Sequence, residues 1–435
     1  MRDANASCCI QSLFSVIRYP FLLLLASLLL GHLATAQTTP RTLPPPAPPV
    51  APVPTGPLTL QQALQTGLRQ SLLVQTGTLE VERQRALTRT GYDLPRTVVD
   101  YQYGQISGPL GDHSLNIVQQ SALPGLYAAQ RKLLEGQVLT AEQRTRQQRR
   151  DLTRTIQGTY YELLLSYRRA ALLRRQDSLY RRAARAARIR YQTGETNRLE
   201  QVSAEARSRE LQNRLALTLT DIQVQQQQLG ILLNLGQSAA IDTTANAIAA
   251  LSPTDTLGLS AEANPTLALL QQEIEVSRRQ TRVEQLRRLP DVRVGYFNQT
   301  INKERGFQVA QAGVAVPLLG GAQKNRIQAA RIGEQAAEAQ LQYATAQLQG
   351  QLSVLRSQLT RARTSLAYYE QTALPQARLI LNTAEKSFRA GDIEYVEYVV
   401  NTDPAWQIQQ AYLDQIRQYN DLALSLQSLI GSDAQ

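Results

Sequence analysis

The sequence predicts a mainly α-helical chain with a small β part, built as two copies of one plan. Three observations predict it. Landmarks recur at a constant offset, four short segments alternate apolar and polar residues, and long proline-poor stretches carry three- and four-residue apolar spacing. Residues 91–127 read GYDLPRTVVDYQYGQ, ISGPLGD and HSLNIVQQSALPGLY. The plan returns as RRLPDVRVGYFNQT, a turn at NKERG, and FQVAQAGVAVPLLGG. In each copy a Pro precedes the first strand, a polar turn joins it to the second, and another Pro opens a long helix. Pro95 answers to Pro290 and Pro124 to Pro317. YQTGE (Tyr191 to Glu195) answers to FRAGD (Phe388 to Asp392), and Gly236 answers to Gly431. All these offsets lie near 195 residues, which reads as an internal duplication.

The N-terminal stretch is set apart. Arg2 and Arg18 precede an apolar run, Phe21 to Leu30, and Ala34-Thr35-Ala36 forms a small-x-small site. Residues 1–36 are therefore expected to be a signal peptide. The run is too short for a spanning helix of about 20 apolar residues. Residues 37–57 form a Pro-rich, extended linker. The first repeat is expected over residues 58–250 and the second over 251–431, with a short tail at 432–435.

Both cysteines, Cys8 and Cys9, fall within the signal. The mature chain then has no thiol or disulfide, and no Cys follows the apolar run to carry a lipid. His113 is the one histidine after residue 36, so metal sites and His-based catalysis have almost nothing to be built from. No nucleophile–base set or Gly-rich phosphate loop is present, and the expectation is no enzyme and no cofactor. The net charge is +11. Export argues against nucleic acid, and the basic residues spread along helices such as RRAARAARIR (Arg181 to Arg190), as on a solvated or oligomer-facing face.

The elements follow in order. Leu60, Ala63, Leu64, Leu68 and Leu72 predict a helix running to about Arg89. Strands are predicted at about 96–106, 112–122, 291–301 and 306–316. Val99, Tyr101 and Tyr103 alternate with Asp100, Gln102 and Gly104, and Val292, Val294 and Tyr296 with Arg293 and Gly295. Such alternation means one dry face and one wet face, and about ten residues suit a tilted membrane-crossing strand. A helix to about Tyr191 follows the first strand pair, on the order of 100 Å long at 1.5 Å per residue. Ile156, Tyr160, Leu163 and Tyr167 trace a coiled-coil seam along it. Gly194 turns the chain and a second helix returns to about Leu235. In the second half a helix over 264–289, two strands, a helix over 323–389, a turn at Gly391 and a last helix to Leu429 repeat this, with Pro375 and Pro404 expected to kink or break their helices.

Four membrane strands cannot close a barrel, because open edges are not tolerated in lipid and barrels need about eight strands or more. A shared barrel is required: two chains give eight strands, three give twelve. Long helices would then project into the periplasm as a tube.

At this point the residues resemble the TolC outer-membrane efflux family, over essentially all of residues 58–431. The carriers are the LTLQQAL opening, the paired strand hairpins, YQTGETNRLEQVSAEAR, and FRAGDIEYVEYV. The resemblance implies a homotrimer: a 12-stranded outer-membrane β-barrel, four strands per chain, continued by a long α-helical periplasmic coiled-coil barrel. It implies an exit duct for an inner-membrane pump, joined by a periplasmic adaptor, in tripartite efflux or type I secretion. It further implies carboxylate rings near the second-half turn. Aligning on Gly391 puts Glu397 at the first ring position and Val400 at the second, so that ring is missing, while Glu394 lies three residues before Glu397. Both acids are equally consistent with ordinary exposed helix residues. Gly194 and Gly391 read as tip turns, and Tyr191, Thr193, Glu195, Asp392 and Tyr395 as adaptor-contact candidates, with turn and capping chemistry as the alternative. Rival readings are a periplasmic adaptor, which needs sizeable β-domains, and a soluble coiled-coil scaffold, which leaves the matched strands unexplained.

Overall fold

A computed structural model describes residues 56–243, 264–302, 304–317 and 320–430. The signal peptide, most of the Pro-rich linker, the first residues of the second repeat, Gly431 and the tail lie outside the described residues. In order, the elements are α1 (Leu60–Gln70), α2 (Leu72–Thr88), a 3₁₀ turn (Arg89–Tyr92), β1 (Val98–Gly104), β2 (Asp112–Ser121), α3 (Pro124–Gln192) and α4 (Arg198–Leu232). Then come α5 (Pro265–Leu286), β3 (Asp291–Ile301), β4 (Glu304–Ala315), α6 (Gly321–Tyr368), a π-helical turn (Tyr369–Ala373), α7 (Leu374–Ala390) and α8 (Tyr395–Ile430).

The four strands form one antiparallel sheet in the order β1-β2-β3-β4. Register settles the faces. Val99 pairs with Ile117, Tyr101 with Leu115, Ile117 with Tyr296, and Val292 with Val314. Paired residues share a face, so these apolar side chains form one surface. Val99, Tyr101, Val294 and Val314 on it are 51 to 65% exposed. The opposite face carries Asp100, Gln102, Ser114, Asn116, Arg293 and Gln311. In β4, Phe307 and Val309 sit on that polar face, opposite Val314, because Phe307 pairs with Gln299 and Val309 with Phe297. β1 and β4 are the sheet edges.

Each strand is reached from a helix at the same end of the sheet. α2 leads to β1 and α5 to β3, while β2 leads into α3 and β4 into α6. Prolines fit these junctions: Pro124 sits in the first turn of α3, where no intrahelical N–H is needed. Beside the sheet, α3 packs against both α2 and α5, and α5 against α6.

Farther along α3 a first core gathers Ala63, Ile156, Leu163, Leu229 and Leu233, each 0% exposed. The chain start is pinned there. Leu58 and Ile241 form a parallel bridge, the Leu58 N–H donates to Ala240 O at 2.9 Å, and the Tyr160 hydroxyl donates to Leu58 O at 3.2 Å. Thr59 and Gln62 close a capping box at α1. A second core joins α6 to α8 through Leu352, Leu359 and Leu366 at heptad spacing against Ile416, Tyr419, Ala423 and Leu426. The seam predicted in α3 is the buried one: Ile156, Tyr160 and Leu163 are 0 to 5% exposed.

Several details differ from expectation. The predicted helix over 60–89 breaks at Ser71, whose ψ of 121° is extended. The NKERG turn is tighter, since Ile301 already pairs with Glu304, and Asn302 takes φ +53°. β1 is shorter than predicted, because residues 105–111 form the connection and Ser107 N–H donates to the Asp112 carboxylate at 3.2 Å. At Pro375 the helix is interrupted locally, in line with expectation, by a π turn whose wider spacing accommodates the missing N–H and the ring. Pro404 lies inside α8 without ending it. The carbonyl it leaves unbonded belongs to Val400, 65% exposed, where water can take the bond. Among the described residues no helix is long and apolar enough to cross a membrane.

Ile156→Ala or Leu163→Ala is expected to cost ~2–5 kcal/mol by cavity formation, read by chemical denaturation. Exposed Arg83→Ala should stay within ~0.5 kcal/mol. Equal effects would refute this placement of the core.

Candidate gate and docking tips

The two helical reversals stand at the ends of α3 and α7. At the first, Thr193 caps α3 twice: its N–H donates to Ile189 O at 3.0 Å and its hydroxyl to Arg190 O at 3.0 Å. Gly194 takes φ +80°, and Glu195 N–H reaches back to Arg190 O at 2.8 Å. Asn197 then caps α4 by accepting from Glu200 N–H at 2.8 Å. Glu200 is 6% exposed. Its carboxylate accepts from the Thr196 hydroxyl and lies 3.6 Å from the Arg190 guanidinium, at a helix N-terminus that favours negative charge.

The second reversal is a Schellman motif. Gly391 N–H donates to Phe388 O at 3.3 Å and Asp392 N–H to Ser387 O at 2.9 Å, with Gly391 at φ +84°. Only a residue tolerant of the left-handed region closes this turn without strain, and FRAGD supplies it.

α8 begins immediately afterwards. Tyr395 and Tyr398 are 4% and 1% exposed. Tyr395 packs among Ala183, Ala184, Ala187 and Ala204, and Phe388 lies 4.8 Å from Tyr398 between ring centroids. Burial pushes both phenol pKa values up, so both rings stay neutral. These two anchors set the rotation of the helix. Glu397 and Val400 consequently point to solvent, and Glu394, just before the first turn, is exposed too. Neither acid has a cationic partner among the described residues. At a helix N-terminus they interact favourably with the macrodipole whatever else they do.

Tyr191, Thr193, Gly194, Glu195, Gly391 and Asp392 are all exposed and grouped at the reversals. Tyr395 is not: its ring is interior packing that positions the tip rather than surface it presents. The register of α8, set by Tyr395 and Tyr398, was not evident from sequence spacing, because apolar and charged residues alternate closely through IEYVEYVV.

A contact between residues far apart in the chain joins the two hairpins. Arg207 of α4 donates to the Asp403 carboxylate of α8, 196 residues away, and its guanidinium lies 5.9 Å from the Tyr180 ring centroid. The pair ties the two hairpins together across α3. The signal was present, since Arg207 and Asp403 stand at nearly the offset of the other landmarks with opposite charge. Among the described residues no cluster of His, Cys, Asp or Glu could hold a metal ion.

Gly391→Ala is expected to lower stability by ~1–2 kcal/mol through backbone strain alone, since nothing lies within 4 Å of the added Cβ. Gly391→Asn should recover part of that loss in thermal melts. Ala and Asn variants as stable as the parent would refute the left-handed turn.

No family model matches the sequence, and no curated protein does. Solved structures do match its fold. The outer membrane protein VceC from Vibrio cholerae is 17% identical, covers 86% of this chain and 96% of its own, and gives a TM-score of 0.68. The CmeC outer membrane channel of Campylobacter jejuni is 12% identical, with 86% and 85% covered and a TM-score of 0.71. The open state of the Neisseria gonorrhoeae MtrE outer membrane channel is 14% identical, with 86% and 88% covered and a TM-score of 0.71. Over most of its length, the chain has the fold of the TolC-like outer-membrane channels.

Proposed function

We propose that this chain is the outer-membrane exit duct of a tripartite efflux or type I secretion system. Three copies share a 12-stranded barrel in outer-membrane lipid, and their helices form a periplasmic conduit. An inner-membrane pump delivers cargo through a periplasmic adaptor that meets the helical tips. One observation carries the reading. An open four-stranded sheet with one exposed apolar face and two free edges is joined to helices on the order of 100 Å long. In lipid every backbone group must be bonded, so β1 of one copy pairs with β4 of the next. The polar face, with Asp100, Gln102 and Arg293, then lines water. Similarity to solved outer-membrane channels supports the same arrangement.

In this reading Glu397, exposed in the first turn of α8, contributes a ring of three carboxylates at the periplasmic end, supplemented by Glu394. Three clustered charges attract cations and repel one another, which favours opening. Tyr191, Thr193, Glu195 and Asp392 present the surface on which the adaptor sits.

The duct is tested in planar bilayers with the purified mature chain. Discrete channels are expected, and Glu394→Ala with Glu397→Ala should reduce their cation preference. Unchanged selectivity and conductance would remove the gate, and absent channels the duct itself. A second test uses the two sheet faces. Val294→Arg, on the apolar face, is expected to cost ~2–4 kcal/mol near mid-bilayer and to impair barrel assembly, read as heat-stable oligomer on a gel. Gln311→Arg, on the polar face, should assemble normally. Equal behaviour would mean that the apolar face does not meet lipid.

A further inference from the structure

At the end of the sheet opposite the helices, the two faces are built differently. On the polar face Gly104 pairs with Asp112, and Gln102 with Ser114. Asp112 and Ser114 are 0% and 4% exposed in the single chain, whereas Tyr103, at the same level on the apolar face, is 70% exposed. The cover is the β1–β2 connection, residues 105–111. Its Ser107 N–H donates to the Asp112 carboxylate at 3.2 Å, and its Ser107 hydroxyl accepts from the Gln299 side chain. Gln299 pairs with Ser114, so it too lies on the polar face. A Cβ added to Gly108 would stand 2.1 Å from the Asn302 carboxamide oxygen, so the loop also rests on the β3–β4 turn. Gln105 closes the loop on itself by donating to Pro109 O at 3.1 Å.

The side chains gathered there differ from those on the rest of that face. Ile106 and Leu110 of the loop remain 39% and 42% exposed. Phe307 pairs with Gln299, which anchors the loop, and Val309 with Phe297, so β4 adds apolar side chains on the same face. Phe307 and Val309 are 43% and 49% exposed. Packing within the chain does not account for these four residues, because it leaves them open to solvent.

We propose that residues 105–111, with Phe307 and Val309, form an apolar collar in the outer mouth of the duct, and that this collar favours the exit of amphiphilic and apolar small molecules over hydrated ions. The collar rests on the duct reading above, which turns the polar face toward the lumen and sets three such loops around one axis. The loop lies on the face opposite Tyr103, so it narrows the lumen and does not reach into lipid. Its bonds to Asp112 and Gln299 and its seat against Asn302 hold it over that face. Water and hydrated ions lose hydrogen bonds in an apolar constriction, which raises a barrier to them. An amphiphile covers the same wall with its own apolar surface and meets a lower barrier.

The test uses the chain from Gln37 onward in planar bilayers. That chain has no cysteine, so Leu110→Cys supplies a single thiol. A bulky maleimide added on the loop side, its attachment verified by mass, is expected to cut the single-channel current by about half or more. The same reagent on Tyr103→Cys, at the same level on the apolar face, should leave the current unchanged. Ile106→Asn with Leu110→Asn keeps the side chains close in size. The pair is expected to raise potassium conductance about twofold and to lower the permeability of tetrabutylammonium relative to potassium. Current that survives full modification of L110C would overturn the collar. A block by the adduct with neither effect of the Asn pair would overturn its apolar selectivity. The loop's position is tested separately in detergent, where Gly108→Cys with Asn302→Cys is expected to form a disulfide, read by mass before and after reduction. Failure to form it would overturn the inward placement of the loop. A parent that forms no channels, while G108C/N302C forms its disulfide, would refute the duct and the collar with it and leave the loop on the polar face.

Discussion

Everything in this molecule depends on where the backbone hydrogen bonds of one small sheet find partners. Four strands satisfy one another internally, but the outer sides of β1 and β4 do not. A soluble protein blunts such edges with charge, proline or a covering helix. Here the surface beside the edges carries Val99, Tyr101, Tyr103 and Val314, all well exposed in the single chain. An apolar face and open ladders together require an environment that dries the face and neighbours that continue the ladder. In the proposed duct, lipid dries the face, copies of the same chain continue the ladder, and the long helices inherit the resulting ring.

The helices meet a different constraint. A helix of 69 residues cannot bury its whole surface in one chain. It is instead stitched by local cores along its length. The first holds the chain start, through Leu58 and Tyr160. The second is the heptad seam of α6 and α8, and the third joins Leu173, Tyr180, Leu211 and Trp406. Toward the tip the packing residues shrink to Ala183, Ala184, Ala187 and Ala204, and Tyr395 fills the space they leave. Small residues bring the helices close, and one large ring sets their rotation.

Charge is arranged on this frame in three ways. Most of the ion pairs are exposed and lie within a helix or between neighbouring helices, such as Arg83 to Glu80 and Arg278 to Glu338, worth ~0–1 kcal/mol each. Arg207 differs, because it is partly buried, stacked near Tyr180 and paired to Asp403 across the two hairpins. It contributes to holding one hairpin against the other. The arginines that line a groove between α3 and α4 differ again, since they outnumber the acids within reach.

The sequence by itself determined the kind and order of elements. Prolines mark the strand and helix starts, period-two alternation marks the strands, and three- and four-residue spacing marks the α3 seam. These signals are local, written in neighbouring residues. Tip geometry was legible to the same degree, because Gly194 and Gly391 are needed where φ turns positive. Tertiary structure decided the rest. It broke the first helix at Ser71, turned Tyr395 inward, placed Phe307 and Val309 on the polar face, and let Pro404 stay inside a helix. It also joined Arg207 to Asp403 and lined one groove between α3 and α4 with Arg181, Arg185, Arg188 and Arg209. These outcomes depend on which surfaces distant segments bury together. Local spacing sets which residues share a face, whereas the partner that covers the face is chosen by packing across the whole chain.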